Sequence, residues 1–168
     1  WPSGCRTRRS TCRRALALDP DLAIAHNTLG TVLDAKGEVE QALACYRQAI
    51  ALKGDFAQAH YNLGLALESR GQLAEAESSY RRAIALKPDY PQALHSLGVL
   101  LQRGLRYEEA ADCYRRALAL EPDYAEAHCN LGIVLKDQGR AAEALVSYRR
   151  ALAMAPQMAA AHVNLGLV

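Results

Sequence analysis

Residues 57–67 read Ala-Gln-Ala-His-Tyr-Asn-Leu-Gly-Leu-Ala-Leu, and this stretch returns with few changes at intervals of 34 residues. Close copies occupy residues 23–30, 125–132 and 159–166. A second phrase keeps the same interval, since Tyr-Arg-Gln-Ala-Ile-Ala-Leu at 46–52 becomes Tyr-Arg-Arg-Ala-Leu-Ala-Leu at 114–120. Self-similarity at a fixed period predicts a stack of equivalent units, which moves the functional question from one pocket to an extended surface.

Each 34-residue unit is predicted to contain two antiparallel helices. The first helix ends near Arg70, because Gly71 accepts the left-handed conformation that commonly follows a helix. The second helix runs from about Leu73 to Leu86 and stops before Pro88, which cannot continue it. The same signals recur in the other units, so the helix pair is the repeating element.

The signals at the helix ends carry two further predictions. Asp55, with Gln58 three residues later, predicts an N-cap and a capping box, and Asp89 and Asp123 repeat this arrangement. Gly104 arrives one residue earlier than its counterparts in the other units. We therefore expect the first helix of the third unit to end sooner.

The two helices of a unit have complementary faces. The first carries an apolar row and the second carries small residues around an aromatic ring: Ala59, Leu63 and Leu67, then Ala76, Tyr80 and Ala83. Gly64 lies beside the row, although a glycine inside a helix costs about 1 kcal/mol relative to alanine. Its recurrence in every unit predicts that the neighbouring helix approaches closely at this point.

Charge and cysteine usage argue against several classes of protein. The 168 residues carry a net charge of +2, and five arginines fall within the first fourteen residues: Arg6, Arg8, Arg9, Arg13 and Arg14. The rest of the chain is slightly acidic, so a nucleic-acid-binding protein is not indicated. The five cysteines show no paired spacing, which predicts reduced thiols and a cytoplasmic location: Cys5, Cys12, Cys45, Cys113 and Cys129. No apolar run is long enough to predict a membrane span.

The order Leu-Gly, Ala, Tyr, Ala and Pro over 34 residues resembles the tetratricopeptide repeat (TPR). The resemblance covers one repeat domain over residues 1–168: half units at 1–22 and 159–168, and full units at 23–56, 57–90, 91–124 and 125–158. It implies an all-α, right-handed superhelical solenoid in which first helices line a concave groove. The phrase Ala-His-x-Asn-Leu-Gly is similar to the repeats of O-linked N-acetylglucosamine transferases and of bacterial TPR proteins.

The face opposite the packed row of the first helices is predicted to line the groove and bind a partner. Its candidate binding residues are Asn27, Thr28, Tyr61, Asn62, Leu65, Glu68, His95, Ser96, Val99, Gln102, Cys129, Asn130, Ile133, Lys136 and Asn164. Within this face a polar ladder comprises Thr28, Asn62, Ser96, Asn130 and Asn164, and a mostly apolar ladder comprises Thr31, Leu65, Val99, Ile133 and Leu167. Cys129 is expected to be an accessible thiol there.

The polar ladder has two interpretations. An asparagine amide donates and accepts at once, so it can bond the backbone of an extended peptide, and the resemblance to the transferases implies such a ladder. Alternatively, the amides tie neighbouring helices together. The two interpretations are compatible.

No catalytic constellation, metal site or cofactor is predicted. The repeated histidines would lie about a helix diameter apart, too far to share one ion, so structural packing is the better interpretation: His26, His60, His128 and His162. Three functions remain open. The chain is a non-catalytic scaffold for a protein or peptide partner, the substrate-recruiting arm of a larger glycosyltransferase, or a module whose incomplete terminal units associate head to tail.

Overall fold

The computed structural model describes residues 10–12 and 14–166, in which every regular element is an α-helix. Residues 10–12 and 14–18 are helical. The helices that follow are α1 (Ala23–Asp34), α2 (Val39–Leu52), α3 (Ala57–Ser69), α4 (Leu73–Leu86), α5 (Pro91–Arg103), α6 (Tyr107–Leu120), α7 (Ala125–Asp137), α8 (Ala141–Met154) and α9 (Ala159–Leu165). The predicted all-α class is confirmed. Within the described residues, no helix is long and apolar enough to cross a membrane.

The chain divides into two compact units, residues 1–88 and 89–168. In the first unit α1 packs on α2 and α3 packs on α4, while α3 also contacts α2 and α1. In the second unit α5 pairs with α6 and α7 with α8; α7 also contacts α6 and α5, and α9 packs on α8 and α7. Each unit is therefore built from the repeated helix pairs that the sequence predicts, with successive first helices in direct contact.

The predicted aspartate N-caps are wrong. Phe56, Tyr90 and Tyr124 occupy the N-cap positions of their helices, and their side chains make no capping hydrogen bond. Each helix begins one residue later than the aspartate suggests, with the aromatic residue at the N-cap position. Tyr90 is only 6% exposed, so burial of a ring takes the position at which a polar cap was expected.

The expectation of a shorter first helix in the third unit is also wrong. The helix α5 has 13 residues, as many as α3 and α7. Gly71 and Gly139 follow their helices with φ of 74° and 76°, but Gly104 has an ordinary φ of −84°. Leu105 takes the left-handed conformation in its place, with φ of 59°. The shifted glycine leaves the turn geometry unchanged and moves the strain onto a residue with a side chain.

The close approach predicted at the mid-helix glycines is confirmed. A Cβ built on Gly64 would lie 2.5 Å from Cε1 of Tyr80, and one built on Gly132 would lie 2.5 Å from Cε1 of Tyr148. Both tyrosines are fully buried, as are their small neighbours on the second helices. The glycine therefore provides the space in which the ring of the paired helix packs.

Some predicted features lie outside the described residues. They are the arginines Arg6, Arg8, Arg9 and Arg13, the thiol of Cys5, and Leu167 at the end of the apolar ladder. The thiols of Cys12, Cys45, Cys113 and Cys129 are within the described residues and are not joined in disulfides.

Candidate functional site

Asn62 is buried against the preceding first helix. Its Nδ2 donates to Oδ1 of Asn27 over 3.0 Å, and its Oδ1 accepts from Nε2 of Gln58 over 3.2 Å. Asn27 and Asn62 are 8% and 7% exposed. The amide predicted to contact a peptide thus already links α3 to α1, which leaves one N–H and one lone pair for a ligand.

The second unit repeats this link with different partners. Nδ2 of Asn130 donates to Nε2 of His95 over 3.0 Å, so that ring nitrogen is an unprotonated acceptor. Burial lowers the pKa of His95, against an opposing effect of Glu126, and this favours the same neutral ring. Burial raises the pKa of the Cys129 thiol, and a hydrogen bond with Asn164 opposes that shift.

Two residues predicted to line the groove do not do so. Cys129 is 3% exposed and belongs to a small core with Ala151 and Ala161, so the expected accessible thiol is wrong. Asn27 is buried in the same way in the first unit. The reason is that each of these residues faces the next first helix in the chain, and that helix packs directly on the helix that carries the residue. A polar pair recurring at a spacing of 35 residues is the sequence signal for this contact.

A recess of about 270 Å³ opens on the first-helix face of the first unit. It is lined by Thr31, Asp34, Ala35, Tyr46, Asn62 and Leu65. Leu65 is 38% exposed and forms an apolar wall. Asp34 is half-buried, and desolvation raises the pKa of its carboxyl group. This recess therefore combines a polar floor, an apolar wall and one acidic group.

A recess of the same volume, about 270 Å³, opens on the first-helix face of the second unit. It is lined by Val99, Gln102, Arg103, Tyr107, Asn130 and Asp137. Four of these residues lie 68 positions after lining residues of the first recess: Val99 after Thr31, Gln102 after Asp34, Arg103 after Ala35, and Asn130 after Asn62. The same structural positions create both recesses, and different side chains line them.

The tyrosines of the second helices reach towards the first-helix face. The hydroxyl of Tyr80 donates to Oε2 of Glu68 over 2.8 Å, and that of Tyr114 donates to Oε1 of Gln102 over 2.9 Å. Lys136 occupies the equivalent position in the next repeat and has no acceptor atom. The hydroxyl of Tyr148 is buried and has no hydrogen-bond partner among the described residues.

The repeated histidines anchor the loops that precede the first helices. Nε2 of His60 donates to the carbonyl oxygen of Gly54 over 3.2 Å, since a carbonyl can only accept. His26, His128 and His162 make the same contact with the carbonyl oxygens of Pro20, Pro122 and Pro156. The histidine repeat thus has a structural role. Among the described residues, no group of three or more His, Cys, Asp or Glu could hold a metal ion.

The remaining predicted site residues are only partly available to a ligand. Thr28 donates its hydroxyl to the carbonyl of Ile24 over 2.8 Å, within its own helix. The ring of Tyr61 packs 6.0 Å from that of Tyr80. Ser96 and Ile133 are half-buried on their helices. Of the polar ladder, Asn62 and Asn130 line the recesses, whereas Thr28 and Ser96 line neither.

Three family models match the sequence. Two models described as tetratricopeptide repeat match residues 27–91 and 125–158, and one described as TPR repeat matches residues 106–139. Together they cover residues 27–91 and 106–158, well over half of the chain. No curated protein sequence matches this one.

Solved TPR structures share the fold. MamA is 23% identical, with a TM-score of 0.80 over 90% of this chain and 88% of its own. YrrB, a TPR protein, is 25% identical, with a TM-score of 0.84 over 93% of this chain and 80% of its own. PilF of Pseudomonas aeruginosa is 25% identical, with a TM-score of 0.77 over 85% of this chain and 65% of its own. Its repeat period, its helix pairs and these matches show that the chain belongs to the tetratricopeptide repeat family.

Proposed function

We propose that this protein-interaction scaffold binds an extended peptide segment of a partner along the first-helix face. The observation that carries the proposal is the recurrence of one recess, of about 270 Å³, at equivalent positions of the two units. A surface that repeats along the chain suits a ligand that is itself extended and periodic. In this interpretation peptide side chains enter the recesses.

The asparagines contribute to this binding in a limited way. Asn62 and Asn130 lie on the floors of the two recesses, where each already bonds to the preceding first helix. The N–H and lone pair that Asn62 retains can bond one peptide group. The amides therefore have two roles, to align successive first helices and to offer a single polar contact in each recess.

The two recesses favour different side chains. Asp34 and Leu65 suit a hydrogen-bond donor on an apolar stem. Arg103 and Asp137 present both charges to the second recess.

A structural neighbour supports a peptide ligand. YrrB, 25% identical to this chain, is described as a TPR protein with an unusual peptide-binding site. Its similarity covers 93% of this chain. The proposal for this chain rests on the recesses, and the description of this neighbour supports it.

The test is to select linear peptides against the chain from a random display library and to measure their affinity by calorimetry. Leu65→Glu and Arg103→Glu each change one recess without removing a buried side chain. We expect each variant to weaken binding at least about tenfold, equivalent to about 1.4 kcal/mol. Val146→Glu is the matched control, because Val146 is 51% exposed on α8 and lines neither recess.

Two outcomes would overturn the proposal. One is that no library peptide binds saturably at millimolar concentration. The other is that selected peptides bind both recess variants and the control with equal affinity, which would assign their contacts to another surface.

A further inference from the structure

A larger recess, of about 350 Å³, lies in the first unit between α2, α3 and α4. Ile50 and Leu63 give it an apolar floor, and Arg47, Ser78 and Arg82 are among its polar lining residues. None of these residues belongs to the first-helix recesses. The site is independent of the proposed peptide function.

Arg82 is a cation without an ion-pair partner among the described residues. The residue four positions earlier on α4, where a carboxylate would pair with it, is Ser78. In the next repeat the equivalent pair is Asp112 and Arg116, whose charged atoms lie 3.8 Å apart. The serine therefore leaves the guanidinium of Arg82 available on the recess.

The other cation of the recess is only weakly neutralised. The guanidinium of Arg47 lies 3.8 Å from a carboxylate oxygen of Glu75, and both side chains are more than half exposed. Gln72 also donates to Glu75, over 2.9 Å, so that carboxylate is shared. An exposed pair at this distance contributes little, and the recess keeps a positive potential.

His60 adds a further polar group. Its Nε2 is committed to the carbonyl oxygen of Gly54, which leaves Nδ1 as the remaining polar atom of the ring. The hydroxyl of Ser79 is committed to the carbonyl oxygen of Glu75. The hydroxyl of Ser78 makes no hydrogen bond with the described residues, so it can donate to a ligand.

We propose that this recess binds a phosphate monoester carried on an aromatic stem. Two guanidinium groups and a hydroxyl match the oxygens of a phosphate dianion, which guanidinium forks bind in a directed way. The apolar floor would contact the ring of an aryl phosphate, and the volume leaves room for both parts. The same chemistry occurs in small aryl phosphates and in phosphotyrosine side chains.

The equivalent positions of the second unit provide a comparison within the same molecule. Arg115 and Arg150 correspond to Arg47 and Arg82, but Val146 replaces Ser78. Glu143, near Arg115, is held by two hydrogen bonds of 2.8 Å from Arg140. The second unit keeps the cations and lacks the hydroxyl, so it should not bind the probe saturably.

The experiment is a titration of the ¹⁵N-labelled chain with phenyl phosphate, followed by two-dimensional NMR. We expect saturable shifts confined to α2, α3 and α4, with inorganic phosphate binding roughly tenfold more weakly for lack of a ring. Ser78→Asp, which restores the carboxylate found at Asp112, and Arg82→Gln should each abolish or sharply weaken binding. Arg116→Gln is the matched control, because it removes one cation that does not line the recess, and it should change nothing.

A further titration, with a phosphotyrosine peptide, distinguishes the two sources of an aryl phosphate. A short peptide containing phosphotyrosine should bind more tightly than phenyl phosphate if the natural ligand is a modified protein, and equally if it is a small molecule; both results support the site. Equal weakening by Arg82→Gln and Arg116→Gln would overturn it, because it would indicate general charge attraction. Equal affinity for inorganic phosphate, or shifts outside the first unit, would also overturn it.

Discussion

The second-helix tyrosines should respond differently to loss of a single oxygen atom. Tyr80, Tyr114 and Tyr148 are all fully buried, and each ring packs against the glycine of its paired helix. A change to phenylalanine keeps that packing and removes only the hydroxyl. The effect on the free energy of unfolding therefore reports the hydrogen bond alone.

The magnitudes follow from the acceptors. Tyr80→Phe removes a bond to a carboxylate and should cost about 1.5–3 kcal/mol, whereas Tyr114→Phe removes a bond to an amide and should cost about 1 kcal/mol. Tyr148→Phe removes a buried hydroxyl without a partner, so it should stabilise the chain by about 1 kcal/mol. Burial raises the pKa of Tyr148 to about 12, so its hydroxyl stays neutral in the assay.

The reciprocal change supplies the missing acceptor. Lys136→Gln gives Tyr148 the same amide acceptor that Gln102 provides for Tyr114. The change should stabilise the chain by about 1 kcal/mol. This gain should disappear in the Tyr148→Phe background, since the two changes act on one bond. Lys136→Met removes the charge without adding an acceptor, and it should leave stability unchanged.

Urea titration followed by circular dichroism at 222 nm measures these effects. With a slope of about 2 kcal/mol per molar urea, a change of about 1 kcal/mol moves the midpoint by about 0.5 M. If Tyr148→Phe lowers the midpoint as much as Tyr114→Phe does, the reasoning from acceptors is refuted. An equal gain from Lys136→Gln in the wild-type and Tyr148→Phe backgrounds would refute it too.

Three further predictions follow from the turns, the helix contact and the buried histidine. Leu105→Gly should raise the free energy of unfolding by about 1 kcal/mol, and with it the urea midpoint, because it relieves the strain of the left-handed backbone at a residue that is 71% exposed. Leu105→Ala should give no such gain. Gly64→Ala should cost about 3 kcal/mol by the same assay, since its Cβ would lie 2.5 Å from Tyr80, and Gly54→Ala, with no Cβ contact under 3.9 Å, should be tolerated. His95 has a folded pKa below 6.5, so its stabilising contribution is complete above pH 6.5 and declines as pH falls towards the folded pKa. His95→Asn should flatten that part of the curve of midpoint against pH, and an unchanged curve would contradict the assignment.

The repeat and its helix pairs could be predicted from sequence because their signals are local. The ends of α4 at Leu73 and Leu86 agree with the prediction, as does the contact expected at Gly64. Each depends on residues within one unit, where helical spacing and turn chemistry determine which faces meet. The N-caps were mispredicted because an aspartate near a helix start signals a cap whether or not an aromatic residue occupies the N-cap position.

The candidate site was predictable only as a face. The recess-lining residues Leu65, Val99 and Gln102 were found by helical spacing, but the commitment of Asn62 to Asn27 was left open by it. That bond joins residues 35 positions apart, and it depends on how far one first helix is shifted along the next. No single helix carries that information.

The sequence by itself determined the period, the pairing of helices and the places where a glycine must meet a ring. The tertiary structure alone decided which polar groups are hydrogen-bonded within the protein and which stay available. Asn62 and Asn130 are engaged, Leu105 takes the strain of a displaced glycine, and Tyr148 is left without an acceptor. The physical reason is that hydrogen bonds and recesses form between helices of different repeats, where packing sets the distances and sequence spacing does not.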